Sequence, residues 1–564
     1  MDFFLLSFLS LTMILCINGY GKFFNKILNI GQITFSETGF LGFFFLTFLS
    51  VFLHFFISLN ENLNLILFVV GIFYFAISSY QSLNFLKKNY IFLTITLGLT
   101  LLMFITYKPH EDFGYYHLPY IVNLVSDKII FGLSNLQPQF AWNSVWLNLS
   151  SLFYLPKIEF KAVMLVNGIL YFYVILFFYE KLKNINYSSG LFLNSNLYLL
   201  VLSLYIIIKF TRLSSFGFDF PSNIFALISV YFFFSFHEKK DTEIFSLLLI
   251  FSIFSFLIKQ NNFFVPLLFF GASYVLLKDK KIYVINLKLL YFTFFFVICW
   301  FLQQFIYSSC FFPALKFTCI KTIWYSDNIS EIINSVTGSL NKSFSSYKGN
   351  LSEKEYVNNF NWVSTWFYRN ANELFEHFIA MSLFSVLFLI RSFIKQKEYS
   401  LKDFNFKIKF KTFHYEIFLY IFLLLGFLLW FMKSPVIRFG IPYILLIYFL
   451  IYRSIFRCLI VKNDINIKFL IIFTFSFCLL FNCTKNIIRI YNEYQDLWPI
   501  FPKITYNSIK FNEIKINVPY SNSKVDDKLF LCWDVPFVCS ISGVNNIIFE
   551  KKNNYLFILK KINY

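Results

Sequence analysis

Residues 108–156 read KPHEDFGYYHLPYIVNLVSDKIIFGLSNLQPQFAWNSVWLNLSSLFYLP and follow directly on an apolar run. The segment opens with three consecutive ionisable side chains, His110, Glu111 and Asp112. Acidic residues number only 30 in the 564-residue chain. Two of them side by side at the mouth of a membrane helix are costly to place, so their position points to function.

Outward from this loop, the chain is 58% hydrophobic and 14% charged, with 85 phenylalanines. Soluble domains carry about 25% charged residues, and none of this size hides so much apolar surface. The class is an all-α polytopic membrane protein. The net charge of +19 sits mostly in lysines and arginines flanking apolar runs. That placement describes loop anchors and lipid-phosphate contacts and argues against a nucleic-acid partner. Phe3 to Ile17 lacks a preceding basic stretch and a clear small-residue cleavage site, so it is expected to remain as a helix.

Apolar runs of the length needed to cross a bilayer number about fourteen. They fall near 3–20, 39–59, 63–84, 90–107, 160–180, 192–210, 222–237, 243–259, 262–278, 287–308, 375–394, 415–433, 439–457 and 467–484, the 243–278 pair also reading as a tight hairpin. One set of seven loops holds about 23 basic residues and the short loops of the other set about five, which places the first set in the cytoplasm. The polar segments 108–160, 309–374 and 485–564 and both termini are then external. Three domains are expected: accessory helices in 1–89, a transmembrane core in 90–484, and a small external α/β domain in 485–564.

Within the opening loop, YYHLPYIVNLV has the spacing of a short amphipathic helix lying on the membrane surface. A second is expected at Phe140–Phe153, with Trp142 and Trp146 four apart as interfacial anchors. A carboxylate at a partly desolvated site serves as a general base, its pKa raised by burial. Glu111 and Asp112 both qualify, and pairing with Lys108 is their ordinary alternative. His110, Glu111, Asp112 and His117 also offer oxygen and imidazole ligands to a divalent metal, although their spacing matches no metal motif. No cofactor is fixed by this reading. His54, on an apolar helix, is expected to be a packed histidine.

The chain resembles the GT-C fold glycosyltransferases, in which a helix enters an external loop carrying an acidic motif, followed by surface helices and many further spans. Further segments are ED-x3-YHL at 111–118 with FGLSNLQPQFAWNSVW at 131–146, SSFGFDFP at 214–221, SPVIRFG at 434–440 and CWDVPFVC at 532–539. In these the chain looks, more closely, like an uncharacterised family of bacterial multispanning proteins within that group. The likeness runs from about residue 90 onward. It implies a polyprenyl-phosphate or polyprenyl-diphosphate sugar donor and a catalytic base on the first external loop, which maps to Asp112 or Glu111.

The remaining substrate-binding candidates lie in other external segments. Arg212 and Asp219 share one loop, and Asp219 is read either as a helix-start cap or as a site residue. Lys259 is the sole charge of a very short loop, read as a phosphate ligand or a snorkelling lysine. Arg438 presents a fork suited to phosphate, and the resemblance favours it as the donor-phosphate ligand; Lys433 lies close enough in sequence to join it. His110 and His117 complete the set. Cys310 with Cys319 and Cys532 with Cys539 are expected disulfides on an oxidising face. The other five cysteines fall in or beside spans as packing residues. The stretch SVTGSLNKSFSSYKGNLSEKE is read as a mobile lid or a linker.

The expected function is transfer of a sugar from a polyprenyl-linked donor to a lipid-linked or cell-surface glycan at the outer face of a bacterial inner membrane. A surface polysaccharide polymerase or ligase is the second reading. A lipid or glycan transporter ranks third, since most charges cluster at span ends and no internal repeat is evident.

Overall fold

The computed structural model describes residues 2–78, 80–106, 110, 112–142, 144–185, 193–211, 217–395, 413–461, 467–492, 501–511, 514–520, 531–541 and 547–560. Glu111 and Arg212 therefore lie outside the described residues.

The chain runs α1 (Asp2–Leu28), α2 (Phe35–His54), α3 (Glu61–Ile77), α4 (Tyr80–Lys88) and α5 (Tyr90–Ile105) into the site loop. That loop holds a π-helical turn at Phe113–His117, α6 (Leu118–Ser126) and α7 (Val145–Ser151). There follow α8 (Phe160–Val163), α9 (Val166–Lys183), α10 (Asn194–Lys209), α11 (Asp219–Lys239), α12 (Thr242–Ile258), α13 (Leu267–Lys278) and α14 (Leu287–Ser308). The second half has α15 (Ile329–Asn341), α16 (Glu353–Val357), α17 (Val363–Lys395), α18 (Phe413–Lys433), α19 (Ile437–Val461) and α20 (Ile467–Asn492). Four strands close the chain: β1 (Tyr506–Phe511), β2 (Ile514–Pro519), β3 (Ile547–Lys552) and β4 (Tyr555–Lys560).

Among the described residues, eight helices are long and apolar enough to cross a membrane, and four shorter apolar ones accompany them. The run expected at 63–84 divides into α3 and α4, the second carrying Lys87 and Lys88 in its last turn. The pair at 243–278 forms two helices joined by residues 259–266, with a short turn at Gln260–Asn262. Local signals set several starts. Thr34 and Glu37 form a capping box at the head of α2, each side chain taking the other's backbone N–H.

The core is built on phenylalanine. Phe40 and Phe44 of α2 pack against Phe225 and Phe251 and against Phe254 of α11 and α12, at centroid separations of 5.2–5.9 Å. Aromatic rings bury large area at low entropic cost, so α2 serves as a central post of the bundle.

The site loop departs from its expected form. From Leu118 to Val125 every residue of α6 is buried, so it is an interior helix and not one lying on a membrane surface. Phe140–Phe153 is likewise no single surface helix: a short turn at Pro138–Ala141 precedes α7. Trp146 is fully buried, with its indole N–H donated to Asn167 Oδ1 at 2.7 Å. An indole hydrogen-bonded inside a core cannot act as an interfacial anchor. His54 is buried, its Nε2 3.1 Å from the Asp127 carbonyl.

The stretch read as a lid or linker is built of packed elements. It holds the second half of α15 and a Ser352–Glu355 capping box on α16, and Tyr356, which follows it directly, is fully buried with its hydroxyl donated to the Lys342 carbonyl at 2.8 Å. Upstream of it, Cys310 and Cys319 are disulfide-bonded.

The C-terminal segment consists of two antiparallel hairpins, β1–β2 and β3–β4, with no helix among the described residues of 501–560. Of the α/β composition expected for 485–564, the strands are present, and the described helix is the end of α20 at Asn492. These hairpins grip the site loop. Phe131 N–H donates to Leu556 O at 2.9 Å, and Ile558 N–H returns to Phe131 O at 2.8 Å. Gly132 adopts φ +73°, and a Cβ there would meet the Ile558 carbonyl.

Candidate functional site

Four helix ends meet at one face of the bundle, and each brings one charged residue. Asp112 stands just beyond α5 at the entrance to the π turn; Asp219 opens α11; Lys259 follows α12; Arg438 sits in the first turn of α19.

Buried amides hold these ends in register. Asn262 Nδ2 donates to Ser222 Oγ at 2.6 Å and to Ser255 Oγ at 2.8 Å, tying the Lys259 turn to the start of α11. Asn223 Nδ2 donates to the Arg438 carbonyl at 2.7 Å, tying α11 to α19. Trp366 and Trp430 indoles donate to the carbonyls of Pro435 and Val436, at 2.5 and 2.7 Å, which fixes the SPVIRFG turn. Asn486 donates to Thr211 O at 2.6 Å and Asn167 to Gly217 O at 2.9 Å, anchoring both flanks of 212–216.

On this frame the charges interlock. Arg438 Nε lies 2.9 Å from Asp219 Oδ2, and the same guanidinium stands 3.9 Å from Asp112 Oδ2. The Lys259 ammonium pairs with the other Asp219 oxygen. His110 Nδ1 is 3.2 Å from Asp112 Oδ2 and accepts the Asp112 backbone N–H at 3.1 Å. The Lys259 ammonium also lies 3.1 Å from the centroid of Phe439, a cation–π contact strengthened by desolvation.

Burial raises the Asp112 carboxyl above its ordinary value of 3.8, against the opposing pull of His110 and Arg438. Burial likewise lowers Lys259 to about 8, with Asp219 holding its proton on. Tyr116 is pushed well above its ordinary value by burial and by the neighbouring Asp112 and Asp219 carboxylates. His117 is pushed down to about 3 by burial, and is therefore neutral.

Of the residues singled out from sequence, Asp112, His110, Asp219, Lys259 and Arg438 come together here, with His117 buried beside them. Lys433 is exposed, and its charge acts on Lys342. Asp219 stands in the first turn of α11, where the helix dipole favours a carboxylate, and the same carboxylate is committed to two cations. Among the described residues no three His, Cys, Asp or Glu side chains converge on a metal position; Glu111, one of the four metal-ligand candidates, is outside that set.

Sequence reading missed Tyr116, Phe439, Asn223 and Trp533. Phe439 follows Arg438 directly, and Trp533 lies in CWDVPFVC, so both were within motifs already quoted. Tyr116 also lines a shallow recess, with a cavity volume of only about 10 Å³, shared with Tyr120, Gln139, Phe140, Trp142, Ser144 and Leu147. Chemically, the site offers a half-buried carboxyl of raised pKa beside two cations that share one carboxylate. Such a pair takes an oxyanion readily, because Asp219 alone does not fill the donor capacity of both heads.

The fold and the charged cluster at its helix ends define a multi-span helical membrane protein with a polar site at one face. The chain belongs to the family described as a domain of unknown function, DUF8201, whose model matches residues 1–445. No curated protein and no solved structure matches it.

Proposed function

We propose that the protein is a membrane glycosyltransferase of GT-C type that takes its sugar from a polyprenyl phosphate or diphosphate. The eight long apolar helices, the four shorter ones, α17 and α19 are read as fourteen crossings, with the site and both termini on the external face of a bacterial inner membrane. The single observation that carries the reading is the placing of Asp112, a carboxyl raised by burial, 3.9 Å from an arginine that shares Asp219 with Lys259.

In this mechanism Asp112 takes the proton of the acceptor hydroxyl as it attacks the anomeric carbon. The bond from that carbon to the donor phosphate breaks, and the phosphate leaves with the electron pair. Arg438 and Lys259 stabilise the charge that develops on it. His110 Nδ1 accepts the Asp112 backbone N–H and so helps hold the turn that carries the carboxylate. Attack from the face opposite the leaving phosphate inverts the anomeric centre. The acceptor is a lipid-linked or cell-surface glycan.

The test is mass-spectrometric profiling of lipid-linked glycans in a deletion strain complemented with wild type or Asp112→Asn. Wild type is expected to restore one sugar addition, and Asp112→Asn to restore none at equal membrane abundance. Full restoration by Asp112→Asn overturns the assignment. A change confined to polysaccharide chain length supports a polymerase or ligase instead.

A further inference from the structure

His117 is 4% exposed, and neither ring nitrogen has a hydrogen-bond partner. The ring is held in place by apolar packing, its centroid 5.2 Å from that of Phe218 and 4.3 Å from that of Tyr116. It lies within electrostatic reach of Asp219, His110, Lys259 and Arg438, so it borders the charged cluster.

A buried imidazole with two idle nitrogens costs the fold the desolvation of both. The neutral ring presents one N–H donor and one bare nitrogen acceptor on opposite edges. A phosphate oxygen accepts only and satisfies one edge. Hydroxyls both donate and accept, so a polyhydroxylated ring satisfies the two edges together. Because burial holds His117 neutral, it offers this mixed pattern throughout the physiological range.

We infer that His117 is the sugar subsite of the charged cluster: its two nitrogens bind hydroxyl groups of a hexose, while Lys259 and Arg438 bind phosphate. This deepens the glycosyltransferase reading and rests on it for the identity of the donor.

The experiment measures binding to the full-length protein in nanodiscs, using undecaprenyl phosphate with and without an attached hexose, and separately methyl hexopyranosides by thermal shift. The variants are His117→Phe, which keeps a flat ring between Phe218 and Tyr116, and His117→Gln, which keeps one donor and one acceptor. His117→Phe is expected to weaken the hexose-bearing lipid about tenfold or more and to leave bare undecaprenyl phosphate within about twofold, with His117→Gln recovering part of the loss. At least one methyl hexoside is expected to raise the unfolding midpoint of wild type and not of His117→Phe.

Equal affinity of His117→Phe and wild type for the hexose-bearing lipid overturns the subsite and leaves buried water as the ring's partner. Equal loss for both lipids overturns it as well, since the residue then serves the whole site. If wild type binds neither lipid, the polyprenyl reading fails, and the methyl hexosides alone decide the subsite. A shift in wild type that His117→Phe abolishes upholds it; no shift in wild type, or the same shift in both proteins, overturns it. Should His117→Phe not fold, the comparison is made between wild type and His117→Gln, where an unchanged lipid preference and hexoside response overturns it.

Discussion

Arg438 Nε lies 2.9 Å from Asp219 Oδ2, a contact between the first turns of two helices from opposite halves of the chain. Asp219 also holds Lys259, so one carboxylate keeps two cations apart from each other's repulsion. Asp219→Asn removes that carboxylate. Breaking one partner of a buried pair costs about 3–5 kcal/mol. Arg438 is 44% exposed, and solvent screening lowers the expected cost here to about 1–3 kcal/mol. The unfolding midpoint in detergent is expected to fall, and millimolar phosphate to restore part of it by occupying the two freed cations. An unchanged midpoint, or no response to phosphate, contradicts this account of the cluster.

Asp112 gives a pH dependence of defined sign. Its folded-state pKa is raised, chiefly by burial, so the folded chain retains a proton that the unfolded chain has already released. The stability it contributes is fully present below the ordinary carboxylate value of 3.8 and is lost as pH rises through the folded-state value. Asp112→Asn, which cannot ionise, is therefore expected to be more stable than wild type at neutral pH. The difference should close as pH falls toward the ordinary carboxylate value. For transfer the sign is opposite: a base must be ionised, so the acidic limb of the rate lies above that same value. Denaturation and rate profiles measured side by side from pH 3.5 to 8 check both halves. A wild type more stable than Asp112→Asn at pH 7 refutes the burial argument.

Most of the cluster was legible because charge is rare in this chain. Asp112, Asp219, Lys259 and Arg438 stand at the ends of apolar runs, and a common face follows from counting helices. What spacing could not supply is depth. Leu118–Val125 shows an amphipathic pattern, yet Asn148 of α7, Tyr307 of α14 and the Leu59 N–H donated to the Leu124 carbonyl all meet α6, and its polar positions, such as Asn123, are buried as well. Trp146 reads as an interfacial tryptophan until Asn167, on another helix, takes its N–H. The Gly/Ser-rich stretch after α14 reads as loose because its packing depends on Tyr356 reaching back to Lys342. In each case the deciding contact is long-range or lies outside the local pattern.

Asn482 offers a test inside the bundle. It is fully buried, and its Nδ2 donates to the Ile207 carbonyl at 2.8 Å and to the Tyr171 hydroxyl at 3.2 Å. Asn486, one turn on, donates to the Asn482 side-chain oxygen at 3.0 Å and to the Thr211 carbonyl at 2.6 Å. These bonds satisfy carbonyls at the end of α10, where a helix leaves its last C=O groups unpaired. Asn482→Leu should cost about 1–2 kcal/mol, the upper range for an interhelical polar contact in a membrane. It is expected to loosen the chain around Thr211, read as faster amide exchange of residues 207–211. Unaltered exchange there shows that the ladder does not hold that segment.

The last relationship lies between Gly114 and Trp533. Trp533 N–H donates to the Gly114 carbonyl at 3.0 Å, and a Cβ on Gly114 would overlap the indole ring. The same indole meets Phe113 edge to face at 6.1 Å, and Phe113 is the residue after Asp112. Trp533 is itself held in a loop closed by the Cys532–Cys539 disulfide and strapped to β2 by Asn517 N–H donated to Val538 O at 2.8 Å. The disulfide loop between the C-terminal hairpins thereby presses on the turn that aims the candidate base, although it lies beyond the family match, which ends at residue 445. Gly114→Ala drives a methyl group into a packed ring, an overpacking expected to cost about 1–3 kcal/mol. Trp533→Ala alone opens a cavity and should cost about 3–5 kcal/mol at most. Combined, the two changes no longer clash, so the double variant should lose less than the sum, by about 1 kcal/mol or more. Thermal unfolding of the four proteins measures that coupling. Strict additivity would mean the ring and the turn do not bear on each other. Coupling in stability together with a parallel fall in glycan transfer for both single variants would place the C-terminal disulfide loop in the support of Asp112.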